Sequence, residues 1–240
     1  LDAWEAAYRG ARGGVLSIGR RGSKSSGIVR FLLADLCAAM EGVCHPVSPG
    51  DVGTFCVLSA RRDQAADRLR TIQEALDILG IAYKPRWHRI DILDAPYRFV
   101  VYTAGKDAVV SQTTCGAFCD EFARWDSDGT NPAAEVIRSL RPSMLTMPDA
   151  ILWMASSPWV EGDIHQEYMG ELGLPPRDQP DRWLSVHAPT WVANPTLTRE
   201  DTEAEEPDEL IWRREFGAIP MPSTAVQWFA RADVEAACAS

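Results

Sequence analysis

The sequence predicts an α/β fold with a mainly parallel central sheet flanked by helices, and three observations carry that prediction. Short apolar runs of strand length alternate with longer amphipathic segments. Each run finishes at a polar cluster, and the first feeds a glycine-rich turn that opens a helix. Of the 240 residues, 46% are hydrophobic and 24% charged, a balance that supports a full core and argues against disorder.

The elements follow in order. Residues 13–18, Gly-Gly-Val-Leu-Ser-Ile, have the composition of a short buried strand. They run into the turn Gly19–Gly27, after which Ile28 to Leu36 carries apolar residues at helical spacing. A polar loop with Pro46, Pro49 and Gly50 separates this unit from a second apolar run, Thr54 to Ala60. An amphipathic helix is expected over 63–79, closed by Gly80. Arg89 to Leu93 alternates as a strand does, and Arg98 to Tyr102 is a compact β run. Gly116 to Cys119 leads into Asp120-Glu121, a helix is expected near 132–140, and Ala150 to Ala155 ends at Ser156-Ser157-Pro158. The remainder is less regular. A strand is expected at 183–189, a turn at Asn194-Pro195, a solvated acidic stretch over 200–209, a helix from Leu210 to Phe216, and a last helix near 232–237. No internal repeat is visible.

Composition excludes several classes. No stretch approaches the roughly 18 uninterrupted apolar residues of a membrane-spanning helix. The opening Leu1-Asp2-Ala3-Trp4-Glu5 lacks the basic-then-apolar order of a signal peptide, and without an initiator Met the chain reads as an excised fragment. Six cysteines are too sparse for a disulfide scaffold, and Cys115 and Cys119 have no second close pair, which disfavours a zinc site. Reduced thiols in a cytoplasm are the natural setting. The net charge of −10 argues against tight, non-specific nucleic-acid binding. That acidity is uneven, however: seven acidic residues fall between Glu200 and Glu209, whereas residues 1–31 hold six basic groups against two acidic ones.

Three clusters carry chemistry. A nucleoside triphosphate needs backbone N–H groups converging on its phosphates at a helix start, a cation near the β and γ phosphates, and a hydroxyl for Mg²⁺. Lys24 and Ser25 supply the last two. The turn departs twice from G-x-x-x-x-G-K-[ST]: Ser23 stands where a Gly belongs, and Gly19 precedes Lys24 by five residues instead of six. A Gly-rich turn without ligand is the alternative reading of this segment. Asp120 and Glu121 place adjacent carboxylates at a strand end, where one can hold Mg²⁺ and the next can polarise an attacking water. Alone, such a pair is an ordinary solvated turn. Ser156 and Ser157 end a third strand, positioned to sense a γ-phosphate, or simply to cap the strand.

Taken in this order, the clusters resemble the large terminase subunit, the DNA-packaging motor of tailed bacteriophages. Gly19-Arg20-Arg21-Gly22-Ser23-Lys24-Ser25 is similar to the family's variant Walker A, G-R-x-G-x-K-S. Cys119-Asp120-Glu121-Phe122-Ala123-Arg124-Trp125 is similar to its Walker B, and Ser156-Ser157-Pro158 to its coupling motif. Val57 to Ala65 looks like the family's second strand with the helix that follows. Trp212 to Gly217 looks like the segment closing its ATPase domain.

The resemblance covers 13–217 and implies a P-loop NTPase of the ASCE/RecA-like type, with ATP and Mg²⁺ as cofactors. Residues 1–217 would form the ATPase domain, and 218–240 a linker towards a nuclease domain that is absent, so nuclease activity is not expected. The implied contacts to nucleotide come from Gly19, Arg21, Gly22, Ser23, Lys24, Ser25 and Ser26. Arg20 would reach the γ-phosphate. Ser25 and Asp120 would hold the metal, Glu121 would orient water, and Ser156, Ser157 and Pro158 would couple hydrolysis to movement. Arg124, Arg138 and Arg141 are candidate arginine fingers for a neighbouring subunit. Trp4 or Tyr8 could stack on adenine. The implied partners are double-stranded DNA, the portal protein, the small terminase subunit and further copies in a ring, with a monomer in isolation and no membrane. The implied location is the host cytoplasm at the procapsid portal. A helicase-like P-loop ATPase and a P-loop-fold interaction domain with a degenerate site are the competing readings.

Overall fold

A computed structural model describes residues 13–104, 112–125, 133–172 and 183–222. Eight strands form one sheet: β1 (Gly13–Ile18), β2 (Gly53–Ser59), β3 (Tyr83–Pro85), β4 (Arg89–Ile92), β5 (Tyr97–Thr103), β6 (Thr113–Asp120), β7 (Ile151–Ser156) and β8 (Trp183–Ala188). Their spatial order is β3-β4-β5-β2-β6-β7-β1-β8. The six strands from β5 to β8 in that order pair in parallel, and only β4 runs against its neighbours. The expected α/β fold with a mainly parallel sheet is what the chain adopts.

Seven helices accompany the sheet among the described residues: α1 (Lys24–Met40), α2 (Arg62–Leu79), α3 (Ala133–Ser143), α4 (Ile164–Leu172), α5 (Thr190–Ala193), α6 (Arg199–Glu205) and α7 (Glu209–Glu215). Strands buried on both faces read as continuous apolar runs, as parallel sheets covered by helices require. Every residue of β1, β2 and β7 is buried accordingly. Ile28, Leu32 and Leu36 of α1 and Ile72 and Leu76 of α2 press against Phe55, Phe99, Phe118 and Trp153 from the strands. One close approach is at Gly14, where a Cβ would lie 2.5 Å from the Trp153 ring, so glycine lets β7 pack there.

Two expectations need correction. Helix α1 starts at Lys24, four residues before the first apolar periodic position, because its first turn, Lys-Ser-Ser-Gly, carries no aliphatic residue for periodicity to register. The acidic stretch over 200–209 is not irregular. Thr198 and Asp201 form a reciprocal capping box that starts α6, Arg199 pairs with Glu203 at 2.7 Å, and Asp208 caps α7. Helix α4 has no counterpart in the sequence reading. Trp4, Tyr8, the helix expected near 232–237 and most of 218–240 lie outside the described residues. Residues 218–222 pack back on the sheet: Met221 bridges Val160, and the Met221 N–H donates to the Trp159 carbonyl. Among the described residues, no helix is long and apolar enough to cross a membrane.

Candidate nucleotide site

In a parallel sheet, ligand chemistry collects beyond the carboxyl ends of the strands, where a crossover leaves a crevice. The register aligns those ends here: Ser17 of β1 lies opposite Ser156 of β7, and Asp120 of β6 opposite Ala155. Strand β7 therefore stands between β1 and β6. Two strand spacings hold the glycine-rich turn and the acidic pair roughly 9–10 Å apart at the backbone, with Ser157 between them.

In the turn 19–23, Arg21 and Ser23 adopt left-handed conformations (φ 65° and 59°), while the Gly19, Arg20 and Gly22 N–H groups donate to the Ala188, Glu215 and Gly19 carbonyls. Ser23 is the N-cap of α1 and makes no side-chain cap bond, and the first turn of α1 holds no acid. The first N–H groups of a helix have no intrahelical partner, so they and the helix dipole favour an anion at this point. Ser23 occupies the position that the common motif gives to glycine, and its φ shows why: a residue with a Cβ is strained there. Gly19 is fixed by contact, since a Cβ would meet the Phe216 carbonyl and the Thr190 hydroxyl at 2.4 Å.

Side chains converge on the cleft this creates. Lys24 Nζ is buried and donates to Ser157 Oγ at 3.1 Å, and it pairs with Glu121 Oε1 at 3.4 Å. Ser157 Oγ in turn donates to the Ile18 carbonyl. Ser25 Oγ donates to Asp120 Oδ1 at 2.8 Å, while Arg68 Nε reaches Asp120 Oδ2 at 2.7 Å. Asp120 is fully buried, and two donors are what a buried carboxylate needs. Glu121 follows the strand end in a left-handed conformation (φ 53°) that swings its carboxylate away from Asp120 and into the cleft.

A second ionic centre sits on the C-terminal side. Glu215, almost fully buried, pairs with Arg20 at 2.9 Å, Arg214 at 2.7 Å and Arg124 at 3.3 Å. Arg124 also pairs with Glu121 at 3.4 Å. The segment around it grips the turn: Thr190 Oγ1 donates to the Arg20 carbonyl, Asn194 Nδ2 to the Arg21 carbonyl, and the Arg20 N–H to the Glu215 carbonyl. The cleft enclosed by Arg20, Arg61, Gln64, Glu121, Arg124 and Trp159 is about 1030 Å³. Five cations (Arg20, Lys24, Arg68, Arg124, Arg214) face three carboxylates (Asp120, Glu121, Glu215) in a chain whose net charge is −10. Arg61, Asp163 and Glu167 also line the cleft, so its charges are closely balanced.

Among the residues singled out in the sequence, Arg20, Lys24, Ser25, Asp120, Glu121, Arg124 and Ser157 come together. Ser26 Oγ donates to the Ser23 carbonyl and Ser156 Oγ to the Ser157 carbonyl, so both hydroxyls stabilise backbone. Pro158 is buried, and the Arg21 side chain is exposed. Arg138 and Arg141 project from α3 and are exposed, Arg138 pairing with Glu135 at 2.6 Å. Neither lines the cleft. Sequence reasoning missed Arg68, Trp159, Thr190, Asn194 and Glu215. A buried strand-end carboxylate was itself a signal that a cation must face it, but nothing along α2 marked Arg68 as that cation.

The oxygens present fit Mg²⁺. Ser25 Oγ and Asp120 Oδ1, 2.8 Å apart, are separated by nearly the ~2.9 Å edge between neighbouring ligands at a Mg–O distance of about 2.0–2.1 Å. Mg²⁺ usually takes one or two protein oxygens and completes its shell with phosphate and water. Among the described residues, no group of three or more His, Cys, Asp or Glu is placed to hold a metal ion.

The sheet order, with a glycine-rich turn and polar residues at the strand ends, defines an α/β fold with a mainly parallel sheet. More narrowly, the chain has the fold of phage large terminase ATPase domains. The ATPase domain of the Thermus phage P74-26 large terminase superposes with a TM-score of 0.61 at 17% identity, over 89% of this chain and 92% of that one. The large terminase of a thermophilic bacteriophage, solved in complex with ADP, gives 0.64 at 14% identity over 87% of this chain. The HK97 bacteriophage large terminase gives 0.62 at 16% identity over 88%. The match takes in 48% of the ADP-bound terminase and 47% of the HK97 protein, so this chain spans about half of each. In sequence alone, it matches no protein-family profile and no curated protein.

Proposed function

We propose that this chain is the ATPase motor domain of a viral terminase large subunit, hydrolysing ATP with Mg²⁺ to drive double-stranded DNA into a procapsid. The observation that carries the reading is the meeting of Lys24, Ser157 and Glu121 within 3.4 Å, beside the Ser25–Asp120 pair. The fold shared with terminase ATPase domains supports it.

In this reading, the turn and the start of α1 hold the phosphates through backbone N–H groups. Lys24 is drawn from Glu121 to the β and γ oxygens. Ser25 and Asp120 would hold Mg²⁺, which when bound neutralises developing charge on the phosphates. Arg68 fixes Asp120 through its contact to Oδ2. Glu121, released from Lys24, accepts a hydrogen bond from the attacking water and aligns it with the γ-phosphorus. The partners of such a motor are the portal protein, the small terminase subunit and further copies in a ring. It would work in the host cytoplasm at the procapsid portal, with Arg138 and Arg141 exposed on α3 for a neighbouring subunit.

The test compares wild type with Lys24→Ala and Glu121→Ala, measuring phosphate release and binding of a fluorescent ATP analogue at high protein concentration, with and without duplex DNA. Wild type turns over ATP, Glu121→Ala binds without turnover, and Lys24→Ala binds weakly. Equal binding by all three removes the assigned phosphate site. Binding without wild-type turnover favours an interaction domain that kept the fold and lost the activity.

A further inference from the structure

Glu121 is held by two cations, one at each carboxylate oxygen: Lys24 at Oε1 and Arg124 at Oε2, both at 3.4 Å. A bound triphosphate would compete with Glu121 for Lys24. Lys24 has a single ammonium group, and a phosphate carries more charge at closer range than a carboxylate shared with another cation. Arg124 has a planar fork with five donors and can serve two acceptors at once. It already does so, with Glu215 Oε1 at 3.3 Å.

The surroundings of Arg124 are those of a fixed group. It ends a single 3₁₀ turn, Phe122–Arg124, in which the Arg124 N–H donates to the Glu121 carbonyl at 2.9 Å. The flanking rings of Phe122 and Trp125 are buried edge to face, with centroids 5.1 Å apart, and Trp125 Nε1 donates to the Asp120 carbonyl. The guanidinium carbon lies 4.5 Å from the centre of the Trp159 ring, and that of Arg214 lies 4.2 Å from the same ring. Trp159 is two residues beyond Ser157, which holds Lys24. Its N–H donates to Asp163 at 2.9 Å, which fixes the backbone that carries the ring.

We infer that Arg124 acts within its own subunit as a positioning residue for Glu121. When nucleotide takes Lys24, Arg124 alone keeps Oε2, so that Oε1 faces the water at a set angle. Trp159 holds Arg124 in place, and because Ser157 and Trp159 lie on one short segment, the hold on Lys24 and the hold on Glu121 are mechanically joined. The inference rests on the reading of this cleft as an ATP-hydrolysing site.

The test uses the full chain with Mg²⁺ and ATP. Arg124→Met lowers kcat at least tenfold with KM within about threefold, Arg124→Lys recovers part of the loss, and Trp159→Phe outperforms Trp159→Leu. In a Glu121→Gln background, Arg124→Met changes nothing further. Mixing Arg124→Met with Glu121→Gln subunits separates the cis role from a role across subunits. Restored turnover would mean that Arg124 reaches a neighbour's site, and it would overturn the inference, as would wild-type kcat in Arg124→Met. If wild type itself does not turn over, the proposed function fails, and the contact is read in a second way. Urea unfolding midpoints of the Arg124/Glu121 and Arg124/Trp159 double-mutant cycles are non-additive if the tie exists, and additivity in both removes it.

Discussion

The two ionic centres of this molecule are assembled on different principles. At Asp120, one buried carboxylate meets Ser25 from the helix after β1 and Arg68 from the helix after β2, so the carboxyl ends of three parallel strands supply it. At Glu215, a carboxylate from a short helix late in the chain gathers Arg20, Arg124 and Arg214, whose only common feature is where the fold puts them. The first centre follows from topology, because parallel strands must deliver their ends to one edge. The second is a strap that residues 190–216 lay across the back of the glycine-rich turn. Chemistry is expected to depend on the first centre, and the integrity of the turn on the second.

The largest expected effect separates them. Glu121→Gln abolishes turnover by about 10³-fold, on the order of 4 kcal/mol of transition-state stabilisation, and leaves ATP-analogue binding close to wild type. Glu215→Leu has the opposite profile. Removing the buried acceptor shared by three guanidiniums destabilises the fold by about 3 kcal/mol, read as a lower urea midpoint, with weakened nucleotide binding as the turn loosens. Should Glu215→Leu leave stability unchanged, the strap is not a structural centre.

A smaller effect reports on the strand-end side through pH. Burial pushes His165 of α4, beside β1, down from 6.5 to about 4, with the nearby Asp163 carboxylate opposing the shift. A base depressed in the folded state contributes stability that is present above 6.5 and lost as pH falls towards 4. Asp35 of α1 lies away from both centres. Burial, reinforced by the Asp149 charge, raises it from 3.8 to about 6, so its contribution is present below 3.8 and lost as pH rises through 6. The two slopes oppose each other over one window. Asp35→Asn should expose a loss of stability on acidification from pH 6.5 to 4, and His165→Gln a gain from pH 6 towards 4, both measured by urea unfolding. Parallel curves for wild type and both variants would remove both assignments.

The smallest effect concerns the turn itself. Ser23→Gly relieves a left-handed non-glycine residue and should stabilise the fold by roughly 1 kcal/mol, raising the melting temperature by about 2–4 °C without reducing nucleotide binding.

The same contrast explains what could be read from the chain. The strand, turn and helix at 13–40 and the Asp120-Glu121 pair are local patterns, in which apolar runs end where polar residues begin. They were legible together with their order. Glu215 was not, because Arg213-Arg214-Glu215 on a short amphipathic helix has the composition of any solvated face. Only the tertiary fold buries that carboxylate. Trp159, after Ser157-Pro158, looked like an aromatic in a loop, and its role depends on arginines 35 residues before it and 55 after it in the chain. The start of α1 was hidden for a simpler reason: its first turn, Lys-Ser-Ser-Gly, is small and polar and carries no apolar signal of the helix it opens.

The return of residues 218–222 to the sheet has a mechanical consequence. Met221 is hydrogen-bonded on both sides to the backbone of Trp159 and Glu161, so the chain leaves the described fold from the strip that carries Ser157 at one end and the Arg124 stack in its middle. A pull on the polypeptide beyond Met221 is therefore a pull on that strip. Load and hydrolysis would share a lever only a few residues long, with the fulcrum at the wall of the cleft.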